Sequence, residues 1–161
     1  MNLDAIFALV SVDVIILLCV GVVLALISLR FNVTVPATIV LSLFLASSLQ
    51  PLFLSTMFVS GALSGASPAI AFWVLFLLLA AIFFRLLTRH FSEEATLSGS
   101  LLAGLGGAVG IFAAWVHTPQ LHSIHTFSAS IAHWVTPGSV LLWILASLLI
   151  LGFAQRQSKW I

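Results

Sequence analysis

The chain has 161 residues, of which 62% are hydrophobic and 6% charged, and its mean hydropathy is +1.30. Soluble domains carry about 25% charged residues, so five Lys/Arg and four Asp/Glu exclude a water-facing surface of this size and point to lipid as the surrounding medium. A net charge of +1 offers no footprint for nucleic acid, and the single cysteine, Cys19, excludes an internal disulfide or cysteine-based zinc site.

Two stretches, 31–84 and 95–155, contain no charged residue. As single helices they would extend about 80 and 90 Å at 1.5 Å per residue. A hydrocarbon core about 30 Å thick leaves room in each for two crossings and a turn. Helices are expected because lipid satisfies no open backbone group. A barrel would need alternating apolar and polar residues, and the run 72–84 does not alternate. The expectation is an all-α integral membrane protein, one transmembrane domain over 1–161, with about five spans and a short interfacial amphipathic helix.

The first span is expected over 6–29, ending at Arg30. It lacks the basic start of a secretory signal and is too long for one, so it is read as retained. Asp13 lies a turn or two inside its outer end. Carboxylates at membrane depth are functional suspects, although this one is close enough to the boundary to remain at headgroup level. The second span is expected over 36–58, with Pro36 in its opening turn. Ser47, Ser48, Gln50 and Pro51 fall near its middle, where proline removes a helical hydrogen bond. Asp13 with the Gln50-Pro51 break is the candidate transport site, since broken helices expose backbone polar groups in transporters.

Ser67-Pro68 reads as the cap and first residue of a third span over 68–87, which closes on Arg85, Arg89 and His90. Ser92-Glu93-Glu94 is an acidic start suited to the helix dipole. A fourth span follows over 97–116 and stops at His117-Thr118-Pro119. Gly99, Ala103 and Gly107 form one small-residue row, and Gly106, Gly110 and Ala114 another. Such rows let helix backbones approach closely, either within the chain or toward a second copy or partner.

Residues 121–135 are more polar, with Leu121, Ile124, Ile131 and Val135 at helical spacing, so an amphipathic helix along the interface is expected. The fifth span is expected over 138–154, after Thr136-Pro137. Trp115, Trp134 and Trp160 fall near the interfaces, as anchoring belts require, while Trp143 lies deeper.

Five crossings place Arg30, Arg85, Arg89, Arg156 and Lys159 on one face, while the opposite face carries Asp4 and no Lys or Arg. By the positive-inside rule the N-terminus is then outside and the C-terminus cytoplasmic. His117, His122, His125 and His133 fall on the outer side. His122 and His133, eleven residues apart, would share a helical face, and wet-face histidines are the simplest reading. His122, His125 and His133 are the candidate metal ligands and His117 or His133 the candidate haem or pigment ligands, but no cysteine or carboxylate completes a recognisable set. No phosphate-binding glycine loop or hydrolytic Ser/His/Asp setting is present, so no enzyme activity and no cofactor is expected.

Ala71-Phe72-Trp73 through Arg85-Leu86-Leu87-Thr88-Arg89, followed by Leu97-Ser98-Gly99-Ser100-Leu101-Leu102-Ala103-Gly104-Leu105-Gly106-Gly107, resembles the third and fourth helices of CvpA-type (colicin V production) membrane proteins. Asp13 followed by Val14-Ile15-Ile16-Leu17-Leu18 is similar to their opening acidic residue and aliphatic run. The resemblance covers about half the chain; Arg30-Phe31-Asn32 replaces the family's Gly-Arg-Gly type turn, and a fifth span is added. It implies a helical membrane protein connected with export and envelope maintenance. The function expected is a structural or accessory subunit of a membrane assembly, with the bilayer and other subunits or its own copies as partners. The competing reading is a small channel, transporter or holin-like pore.

Overall fold

The computed structural model describes residues 12–55, 68–89 and 96–157. Among these residues there are seven α-helices and no strand: α1 (Val12–Phe31), α2 (Thr34–Ser55), α3 (Pro68–Thr88), α4 (Leu97–Val116), α5 (Pro119–His122), α6 (Ala129–Ala132) and α7 (Val140–Gln157). Five of them, all but the one-turn α5 and α6, are long and apolar enough to cross a membrane.

Local chemistry sets several boundaries. The α1–α2 turn needs one residue in the left-handed region, and Asn32 supplies it with φ 53°, a conformation Asn tolerates better than most side chains. Its Oδ1 then accepts the Thr34 N–H at 3.0 Å. Thr96 caps α4, its hydroxyl accepting the Gly99 N–H at 3.1 Å. The acidic start expected at Ser92-Glu93-Glu94 lies outside the described residues, as do Asp4, Ser67, His90, Lys159 and Trp160. The described helices match the third and fourth expected spans almost end to end, while α2 begins at Thr34 and α7 runs Val140–Gln157. Offsets of this size are ordinary fraying at helix ends.

The bundle is built around α4, which has the largest buried share of the five long helices and packs most extensively against α7 and α1, then α2. A Cβ added at Gly104 would strike the Gly21 carbonyl oxygen and approach Ala25 Cβ to 2.8 Å. One added at Gly110 would meet Val40 Cγ1 at 2.6 Å. At both places one helix runs through a groove that only a missing side chain provides. α3 sits at the periphery, packed chiefly on α2.

These contacts fix direction. Gly99 lies against Ala154, and Gly106 against Leu151, so α7 runs antiparallel to α4; Gly21 beside Ala108 and Ala25 beside Gly104 give the same sense for α1. Arg30 and Arg156, near the ends of α1 and α7, therefore sit at the α4 N-terminal end. The opposite end carries the 117–139 connection, here called the cap.

Ser147 on α7, fully buried, donates to the Gly106 carbonyl at 2.6 Å. Hydrogen bonds between membrane helices average about 0.6 kcal/mol, so Ser147→Ala should lower stability by about that amount. A thermal midpoint in mild detergent close to the parent's is the expected reading, and a collapse of the fold would contradict it.

The cap departs from expectation. In place of one amphipathic helix over 121–135 there are two single turns, α5 and α6, with non-helical residues 125–128 between them. Leu121 and Val135 are buried as the spacing required, but Ile124 is 62% exposed. The helix is interrupted because the backbone and side chains of 125–128 bond outside their own segment.

Candidate functional site

Asp13 and the cap meet at one polar cluster. Asp13 occupies the first turn of α1 and is buried. Its Oδ1 lies 2.8 Å from His125 Nε2, a potential ion pair when the ring is protonated. Its Oδ2 accepts the Ser128 backbone N–H at 2.9 Å and the Ser128 hydroxyl at 2.5 Å. Ser130 Oγ stands 2.9 Å from Ser128 Oγ. A carboxylate engaged on both oxygens is the form in which a buried acid is tolerated.

Aromatic packing completes the fastening. Trp115 at the end of α4 donates Nε1–H to the His125 carbonyl at 2.9 Å. Phe127 turns inward and meets Phe112, Trp115 and His125 edge to face, with centroids 5.0, 6.2 and 5.1 Å away. Trp143 donates to the Trp134 carbonyl at 2.9 Å, which ties the start of α7 to the far side of the cap.

A second tie uses Gln50. Its Nε2–H donates to the Pro68 carbonyl at 2.8 Å, and its Oε1 accepts from Gln120 Nε2 at 2.7 Å. Gln50 thus joins α2, the start of α3 and the cap. The expected position near the middle of its span is corrected: contact with Pro68 and Gln120 places it at the cap end of the bundle. The helix continues past Pro51 to Ser55. Gln50→Leu removes both bonds and leaves the Pro68 carbonyl and Gln120 amide without them, a loss of about 1–3 kcal/mol. Earlier proteolysis at the start of α3 and in 117–124 is the expected outcome; cleavage kinetics matching the parent's would refute it.

The histidines do not share a wet helical face. His125 is on Asp13, His122 Nε2 is 3.2 Å from the Val116 carbonyl, and His133 Nδ1 is 3.1 Å from the Ala129 carbonyl. His117 Nε2 is buried and finds no hydrogen-bond partner among the described residues. No group of three His, Cys, Asp or Glu side chains suited to a metal ion occurs among the described residues.

Gly99, Ala103, Gly106, Gly107, Gly110 and Ala114 are all buried within the single chain. Cys19 is exposed on α1. A further feature had no expectation attached. The hydroxyls of Ser28, Thr34, Thr38, Ser42 and Ser100, on α1, α2 and α4, are buried and find no hydrogen-bond partner among the described residues. Sequence reading also missed His125 and Ser128 as partners of Asp13; the one usable signal was that both fall on the same predicted face as Asp13.

Compared with protein-family models, with curated proteins and with solved structures, the chain matches none.

Proposed function

We propose that the chain is a non-enzymatic integral membrane protein that serves as a structural or accessory subunit of a membrane assembly and acts through helix packing. The observation that carries this reading is the use of its polar side chains. Asp13 and Gln50, the residues a transport mechanism would draw on, are held in internal bonds that fasten the cap to the bundle. The outward surface left over is apolar: α1 exposes Leu18, Val22 and Leu26, and α3 exposes Leu77, Leu78 and Ile82. Because the small-residue rows of α4 are covered inside the chain, partners would meet α1 and α3. The arginine end is cytoplasmic by the positive-inside rule, which sets the cap and the N-terminus outside. The resemblance to CvpA-type proteins favours an assembly connected with export or the envelope.

Gentle purification in mild detergent, followed by identification of copurifying chains, tests this: a defined partner or self-complex is expected, and a lone monomer would overturn it. A second reading, a small channel, transporter or holin-like pore, draws support from the buried hydroxyls of α1, α2 and α4. Under it, purified protein in liposomes would carry an ion or solute flux that Ser42→Val or Ser100→Val abolishes. Haem or pigment at His117 or His133 would colour the protein, which an absorbance scan reads directly.

A further inference from the structure

Beneath the cap, beside the Asp13 cluster, lies a pocket of about 490 Å³ between α1, α4 and α7. Its walls are hydrocarbon and aromatic, including Leu18, Val109, Phe112, Trp134 and Trp143, with Ser130 as its polar lining residue. Size and lining are those of a site for a small apolar ligand with one fixed polar contact. Leu18 and Trp134 are about 60% exposed, so the pocket opens sideways onto the apolar surface that the reading above assigns to lipid, and the inference rests on that reading.

The direction of the hydrogen bonds at the rim selects the head of the occupant. The Ser128 hydroxyl gives its proton to Asp13 Oδ2. The 2.9 Å contact between Ser128 and Ser130 must then use the Ser130 proton, because a hydroxyl has only one to give. Ser130 is left with acceptor lone pairs toward the pocket. The negative charge of Asp13 is thus relayed through two hydroxyls to the rim, which favours a donor, above all a cationic one. Arg30 and Arg156 stand at the opposite end, and no Lys or Arg occurs in the cap, so an anionic head would find no fixed cation here.

We infer that this pocket binds one hydrocarbon chain of a zwitterionic aminolipid, with the chain between α1, α4 and α7 and the ammonium donating to Ser130. A choline head of the same net charge has no N–H to donate and fits less well.

The test uses the whole chain reconstituted in vesicles containing a trace of phosphatidylethanolamine with a diazirine in its acyl chain, or the matching phosphatidylcholine. Adducts are mapped by peptide mass spectrometry. Pocket residues around Leu18, Val109 and Trp143 should be labelled about tenfold more by the ethanolamine probe than by the choline probe. The exposed α3 residues Leu77 and Leu78 should take both equally. Val109→Trp, or Leu18→Trp should the first fail to fold, fills the space and should remove pocket labelling while α3 labelling persists. Ser130→Ala should erase the difference between the two heads.

Pocket labelling no greater than that of α3, or unchanged by either filling variant, overturns the binding site. Equal labelling by the two probes overturns the headgroup assignment. Failure of α3 itself to label would instead refute the membrane reading, so the two failures are distinguishable.

Discussion

Asp13→Ala should free the cap from the bundle without dissolving the bundle. The substitution deletes the acceptor of the Ser128 N–H, the Ser128 hydroxyl and His125 together. Hydrogen bonds to a charged group are worth about 1.5–3 kcal/mol each in mutational series, but the groups released here lie at an end of the bundle where water can recover part of that. A net loss of about 3 kcal/mol corresponds to about a hundredfold faster amide exchange in 125–132, while α4 amides stay protected. Asp13→Asn should fall between, because the carboxamide keeps an acceptor oxygen for Ser128 but carries no charge, and it meets His125 only as a donor to an unprotonated Nε2. Exchange at Ser128 that ignores both substitutions would remove Asp13 from any role in holding the cap.

Gly104→Val should be the most damaging single change within the bundle. The new side chain meets the Gly21 carbonyl and the Ala25 backbone, atoms that cannot swing aside as the tip of a side chain can. α1 and α4 must separate, and every contact along that pair weakens with them. Overpacking typically costs about 1–3 kcal/mol, occasionally more, and backbone-on-backbone conflict puts this site at about the upper end. Loss of the monodisperse species in mild detergent, or a large fall in its thermal midpoint, is expected. Gly152→Ala is the control: nothing lies within 4 Å of its added Cβ, and helix propensity favours alanine by about 1 kcal/mol. Equal behaviour of the two variants would mean that α1 and α4 do not pack as described.

The two ends of the molecule were unequally legible in the sequence. Long apolar runs broken by Asn32, Pro68 and Pro119 mark the helices because chain reversal and missing N–H groups are local matters. The α4 rows likewise announce close packing, since a four-residue repeat is visible in one dimension. The cap is illegible in the sequence for the opposite reason. Its apolar spacing at Leu121, Ile124, Ile131 and Val135 matches a helix, yet the backbone of 125–128 is taken up by Trp115 and by Asp13, which lies more than a hundred residues away in sequence. No window along the chain contains both partners. Gln50 falls near the middle of the expected 36–58 span by position alone, and only the Pro68 and Gln120 contacts reveal which end it serves.

For the membrane protein proposed above, the distance along the chain between Asp13 and the donors that hold it has a consequence for biosynthesis. Ser128 follows Asp13 by 115 positions, so during synthesis the acid is delivered to the bilayer long before the loop that receives it exists. An unaccompanied carboxylate is expensive in hydrocarbon, and the nascent first helix must hold it at the water boundary through the arrival of three further spans. In the proposed topology, maturation is therefore finished from the outer side of the membrane, by a late loop closing over an early residue.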